Sequence, residues 1–256
     1  MTLSQQTGSF DQMAATLMHM TSHRIPEGQL VGNPRDPFRP SGHTGLLLSV
    51  LWRFAPMATW QRGFDMGVGS GAVLGMLGRL GVQRLYGVDV DPEAISATSR
   101  FLTQLGLIDQ ATLLVGSLWE PIGDETFDVI ASNLPQFAAA KASDPEHSAY
   151  WSYAGPDGRL FMDPFLAGLR RHMHHTSVAY ITHNRFLGME RTEAVCASSG
   201  LVVREVMSSA VLLHPQKAAL LQSEVRGQGD AAGIMRLGPY EFIDVQILEI
   251  RPQEAV

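Results

Sequence analysis

Residues 65–71 read Asp-Met-Gly-Val-Gly-Ser-Gly, and where this run falls in the chain decides the architecture. It follows a short β-like stretch at 63–66 and opens a helical one at 72–80. Three glycines therefore stand where the backbone must turn tightly and let a ligand approach with no Cβ in the way. A glycine pattern alone is weak, so its surroundings carry the argument. From Arg62 onward short β-like runs alternate with helical ones, the signature of a parallel sheet with helices on both faces. Strands are expected near 63–66, 85–90, 112–116, 127–132, 178–182, 202–207 and 242–250, and helices over 72–80, 92–105, 158–172 and 189–199. That pattern gives an α/β fold with a seven-stranded, doubly wound sheet. Asp91 before Pro92 has the form of an N-cap followed by proline at the first helical position.

Ahead of the glycine run, Phe10, Met13, Ala14, Leu17 and Met20 recur at helical spacing and describe an amphipathic helix. Residues 25–42 hold Pro26, Pro34, Pro37 and Pro40 with Gly28, Gly32 and Gly42, a composition that suits an ordered loop or linker. Residues 45–54 read as a buried helix. The expected division is an N-terminal helical appendage or lid over 1–60 and a ligand-binding domain over 61–256. The stretch 213–235 is an insertion between the last two expected strands, part helical, with a flexible glycine-containing centre at Gly227-Gln228-Gly229.

Hydrophobic residues make up 45% of the chain and charged ones 17%, the composition of a globular protein. A net charge of −6, with Lys141 and Lys217 the only lysines, argues against nucleic acid, which demands clustered cations. Cys196 is the single cysteine, so no internal disulfide forms and nothing requires an oxidising compartment. The N-terminus lacks a basic segment followed by an apolar core, and no apolar run approaches bilayer length. A cytoplasmic setting without membrane or nucleic-acid partners follows as an expectation.

Asp89 stands 18 positions after Gly71 at the tip of the second strand, placed to accept hydrogen bonds from both ribose hydroxyls of a nucleoside. Asp65, two residues before the first glycine, sets a carboxylate at the first strand's tip, which suits a cationic ammonium and disfavours a pyrophosphate. With these residues in view, "FDMGVGSGA" resembles the first motif, and "GVDVDPEAI" the second, of the class I S-adenosylmethionine-dependent methyltransferases, whose fold is Rossmann-like. "FDVIASNLPQF" is similar to the fourth-strand motif of the glutamine-N5 and Asn-Pro-Pro-Tyr-type amino methyltransferases. "GPDGRLF" and "FRPSGHT" are similar to two further segments of that group. The resemblance covers most of residues 37–207. It implies S-adenosylmethionine as cofactor, held by Asp65, Gly67, Gly69, Gly71, Asp89, Val90, Ser117, Leu118 and Asn133, with weaker roles for Phe38 and Thr44. Ser117 stands where the family usually has an aspartate facing the adenine amine, with Trp119 a candidate to cover the ring.

In that family the Asn side-chain oxygen and a following backbone carbonyl accept hydrogen bonds from a substrate NH₂ and aim its lone pair at the methyl group. Asn133, with the backbone at Leu134 and Pro135, is the corresponding pair, and the bare alternative is an Asn that only forms a turn before Pro. The family's motif aromatic is replaced by Gln136 and its first proline by Leu134. The aromatic face must then come from Phe137, Trp151 or Tyr153, of which the last two are equally suited to docking their loop on the sheet. Catalytic roles fall to Asn133, Pro135 and Tyr153, and substrate contacts to Gln136, Phe137 and Trp151. The stretch before the glycine run is short, which favours a small-molecule or peptide acceptor over a whole protein. His172, His174 and His175 are neighbours that do not converge, so no metal is expected, and Cys196 reads as inert packing.

Three functions follow in order. The first is methyl transfer to a nitrogen. The second is a cyclase that closes the cofactor's own amine onto its γ-carbon, giving azetidine-2-carboxylate and methylthioadenosine. The third is a catalytically silent cofactor-binding subunit. The sequence leaves the acceptor, the pathway and the oligomeric state undefined.

Overall fold

In the computed structural model the residues described are 38–54, 59–139, 152–221, 225 and 227–253. The expected helix over 10–20 and most of the proline-rich linker lie outside them. From Pro40 onward the chain packs as one unit. Its first helix, α1 (Gly42–Phe54), buries Leu47, Val50 and Leu51, which join a core with Leu74, Leu77, Val129 and Tyr180. The segment expected to close an appendage ending at residue 60 is thus part of the sheet's own packing, and the division falls at Arg39–Pro40. Apolar residues at helical spacing have no other face to bury.

The sheet contains β1 (Arg62–Met66), β2 (Arg84–Asp89), β3 (Ala111–Val115), β4 (Phe127–Ser132), β5 (Met173–Asn184), β6 (Leu201–Leu212), β7 (Ile234–Leu237) and β8 (Tyr240–Pro252). Their order is β3-β2-β1-β4-β5-β8-β6, with β7 paired to β8. The strands from β3 to β5 run parallel, and β8 enters antiparallel between β5 and β6. Eight strands replace the seven expected. The extra one, β7, begins at the end of the insertion and closes a hairpin on β8, and the insertion itself holds the short helix α6 (Pro215–Leu220).

Two cores cover the sheet's faces. Phe64, Met66, Ile130, Ala179 and Ile181 point to one, under α4 (Met162–Leu169) and α5 (Met189–Ser198). Val129, Ala131, Val178 and Tyr180 point to the other, under α1, α2 (Ala72–Arg79) and α3 (Pro92–Gln104). Successive residues of β4 and β5 fill opposite cores, so these strands read as unbroken apolar runs. Asp91 caps α3 through a 2.8 Å bond from the Glu93 backbone N–H, with Pro92 following. The helix expected over 158–172 forms only at Met162–Leu169. Gly158 holds φ +76°, and the Asp157 carboxylate turns back onto the Arg159 N–H, so the chain does not enter the helix until after that turn. Among the described residues no helix is long and apolar enough to cross a membrane.

Candidate active site

The carboxyl ends of β1, β2, β4 and β5 meet where the sheet's winding reverses, which is where open α/β sheets hold ligands. The β1–α2 loop has Gly67, Gly69 and Gly71 at φ +76°, +46° and +77°, conformations a side chain resists. Two bonds, at 2.8 and 3.1 Å, run from the Gly67 and Val68 N–H groups to the Val88 carbonyl and tie the loop to β2. Asp89 braces it from below. One of its oxygens accepts from the Gly69 N–H and the other from the Asp91 N–H, each at 3.0 Å. A carboxylate so placed keeps further lone pairs for two vicinal hydroxyls. Burial raises its pKa, and those N–H donors offset part of the rise.

Asp65 is different. It is 1% exposed, and neither carboxylate oxygen has a hydrogen-bond partner. Burial, and then the charge of Asp89, hold its carboxyl well above the usual carboxylate range. An unsatisfied buried acid at the mouth of a glycine loop is costly unless a donor reaches it, and a cationic amine answers both the missing hydrogen bonds and the surplus of negative charge. A Cβ built on Gly67 would sit in ordinary contact with Leu134 Cδ2, at 3.8 Å, so the loop adjoins the 133–136 segment. Val90 is 62% exposed beside Asp89 and Leu118 takes φ +49°. Together with exposed Ser117 they line the β2 and β3 ends, a surface for a flat ring. Trp119 does not cover that ring. It stacks on Phe64, Phe165 and His172 and donates to the Phe165 carbonyl at 2.9 Å, inside the core.

At the end of β4, Ser132 Oγ donates to the Met66 carbonyl at 2.8 Å and locks β4 to β1. Asn133 follows, half-buried. Its Oδ1 accepts from Thr182 Oγ1 at 2.7 Å and its Nδ2 donates to Thr44 Oγ1 at 3.1 Å. Thr44 is itself held in a reciprocal cap with Ser41 at the start of α1. The amide is therefore oriented from both sides, keeping one lone pair and one proton unassigned. Pro135, two residues on, is half-buried.

Gln136 is not a substrate residue by placement. It is buried, donates to the Thr182 carbonyl and hydroxyl at 2.9 and 2.7 Å, and accepts from the Asn184 N–H at 2.8 Å. A weaker bond reaches the Leu134 carbonyl at 3.3 Å. The side chain that replaces the motif aromatic serves as a brace between β4 and β5. Phe137 also turns inward, 5% exposed, into a core with Leu213, Ile234 and Val245. Tyr153 packs half-buried against that core and bridges to Phe137. Phe38 is half-buried ahead of the compact unit, and Trp151 lies outside the described residues. His172 and His174 are occupied separately, bonding to the Glu125 carbonyl and to Asp128 at 2.8 Å each. Burial pushes the Cys196 thiol up to about 11.

Four polar residues escaped the sequence reading: Thr182 and Asn184 at the β5 end, His43 on α1 and Lys217 on α6. The first two carried a signal, as polar positions closing an apolar strand that ends at the ligand edge. His43 and Lys217 gave none.

Residues 64–146 match the family described as a methyltransferase domain. A release factor glutamine methyltransferase of Geobacter sulfurreducens is 36% identical over 122 residues, 46% of this chain and 42% of that one. A ribosomal protein L11 methyltransferase of Thiobacillus denitrificans is 32% identical over 117 residues, 44% and 38% of the two chains. This chain spans less than half the length of either relative. The crystal structure of the YcgJ protein of Bacillus subtilis superposes with a TM-score of 0.58 at 13% identity, over 82% of this chain and all of that one. Residues 64–146 are thus similar to a methyltransferase domain, and the chain has the Rossmann-like fold of the class I methyltransferases. Within that class it resembles the glutamine-N5 methyltransferases.

Proposed function

We propose that the chain transfers a methyl group from S-adenosylmethionine to a nitrogen of a small-molecule or peptide acceptor. The observation that carries this reading is Asp65, a buried acid with both oxygens unpaired beside a glycine loop, which fits the ammonium of the methionyl moiety. Asp89 holds the ribose hydroxyls, and Val90 and Leu118 flank the adenine with Ser117 at its edge. When bound, the cofactor supplies a methyl on a positively charged sulfur, so no strong base is demanded of the protein.

The chain's part is to hold a neutral nitrogen in line. Asn133 Oδ1, fixed by Thr182, and the Leu134 carbonyl each keep a lone pair for an acceptor N–H. Two such bonds aim the nitrogen's lone pair toward the glycine loop. The Leu134 Cδ2 contact near Gly67 supports adjoining cofactor and acceptor ends. The first relative's name points to a glutamine amide as one acceptor of this class.

The test is calorimetry with S-adenosylhomocysteine, then incubation with S-adenosylmethionine alone and with amide and amine acceptors. Binding, no turnover alone, and a methylated nitrogen on adding acceptor are expected. Methylthioadenosine formed from the cofactor alone would replace this reading with the cyclase. Binding without turnover on every acceptor would leave a silent subunit.

A further inference from the structure

Lys217 stands on α6, in the insertion, and its side chain reaches the 152–153 segment. Its Nζ donates to Ser152 Oγ at 2.6 Å, and no carboxylate among the described residues forms an ion pair with it. An ammonium has three donors, so two are left for another acceptor. The side chain is half-buried, and burial lowers its pKa with no opposing partner.

A chain of neighbouring residues links it to Asn133. Lys217 is close enough to His43 for its charge to disfavour the imidazolium, after burial, which is the larger cause. His43 in turn bonds through Nε2 to Asn184 Oδ1 at 2.9 Å. The next residue, Thr44, holds Asn133, and the Asn184 N–H holds Gln136. Ser152 precedes Tyr153, which bridges to Phe137. Elements from α1, β4, β5, the 152–153 segment and α6 thus converge on one wall. Among the described residues that wall carries the Lys217 charge and no carboxylate paired with it. A half-buried cation without a counter-charge is costly until an anion arrives.

We propose that Lys217 binds a carboxylate on the acceptor, so that the nitrogen presented to Asn133 belongs to an anionic small molecule or peptide terminus. This rests on the methyl-transfer reading for the acceptor's role, while the carboxylate site itself stands on Lys217 and its neighbours. The cofactor also carries a carboxylate, and the experiment separates the two sources.

Because the chain has only two lysines, Lys141 and Lys217, the protein with ¹³Cε-labelled lysine shows two side-chain signals, assigned with Lys141→Arg. The chain saturated with S-adenosylhomocysteine is titrated with sodium acetate and, as the neutral isostere, with acetamide. Acetate alone is expected to shift the Lys217 signal saturably and raise its titration midpoint, leaving Lys141 unmoved. If S-adenosylhomocysteine itself shifts Lys217 and acetate then has no effect, the anion is the cofactor's own and the proposal fails. Equal shifts at both lysines, or none at either, also overturn it. Calorimetry on the same sample reports the cofactor reading independently. Absent cofactor binding with a selective acetate shift in the free chain removes that reading and leaves the carboxylate site in place.

Discussion

Asp65 is the residue on which stability and function pull in opposite directions. Its folded pKa is raised, by burial first and by Asp89 second. From the ordinary carboxylate range up to that raised value, the native chain keeps a proton that the unfolded chain has lost. Stability without ligand therefore falls as pH rises across the window. Asp65→Asn is expected to remove that slope and to stabilise the free chain at neutral pH, because the neutral amide carries no ionisation penalty in the buried site. The same change is expected to weaken S-adenosylhomocysteine about 10–100-fold, the worth of a charge-assisted bond. Thermal unfolding across pH and calorimetry measure the two effects. A variant that loses stability and keeps its affinity would count against the assignment.

Thr182 makes the complementary case. Thr182→Val leaves Asn133 Oδ1 and the Gln136 amide without their hydroxyl but removes no bond to Asp65, Asp89 or the glycine loop. Turnover is expected to fall about tenfold or more through misplacement of the acceptor, with cofactor affinity unchanged in calorimetry. Asp65, Asp89 and Asn133 were legible because each sits at a fixed offset from a strand end. Thr182 and Gln136 were not legible as partners, since their bond joins residues 46 positions apart, and no local pattern records a contact made by folding.

At the scale of elements, the glycine loop and the α3 cap were readable because backbone conformation there is dictated locally, by a missing Cβ or by an N-cap before proline. The turn before α4 was not. Gly158 at φ +76° passes so close to β4's continuation that an added Cβ would meet the Gln136 carbonyl oxygen at 2.6 Å. That approach seats Arg159, 2% exposed, against Asp163 at 2.7 Å and the Leu187 carbonyl at 2.7 Å. Gly158→Ala is expected to destabilise the chain by at least about 1–2 kcal/mol from the left-handed backbone alone, and to disturb Gln136 and so Asn133. A denaturant midpoint unchanged from the parent chain would contradict the geometry. The β7 strand escaped notice for a different reason. Its four residues expose three, Met235, Arg236 and Leu237, so there is too little alternation to mark a strand, and only pairing with β8 defines it.

At the scale of the whole molecule, the order β3-β2-β1-β4-β5-β8-β6 leaves the crevice at the reversal point walled by Asp65 and Asp89, two carboxylates close enough for one to raise the other's pKa. The parallel core was legible from alternating β and helical runs. The antiparallel insertion of β8 was not, because a strand buried on both faces reads alike in either direction. This arrangement sets a global test of ligand class. A ligand that binds only the native state at 100 times its Kd adds about 2.7 kcal/mol of stability. For a chain of this size each kcal/mol raises Tm by about 2–4 °C. S-adenosylhomocysteine, whose ammonium answers Asp65, is expected to raise Tm by about 5–11 °C at that saturation. A pyrophosphate-bearing nucleotide such as NAD brings negative charge to the same two acids, and no shift is expected. The gain is expected to shrink as pH falls through the raised Asp65 pKa, since a protonated acid no longer attracts the ammonium. Asp89→Ala, which removes the proposed ribose acceptor and the brace on Gly69, is expected to abolish most of the shift. A Tm that rises with NAD, or that rises with S-adenosylhomocysteine in the Asp89 variant as in the parent, would place the ligand somewhere other than across these strand ends.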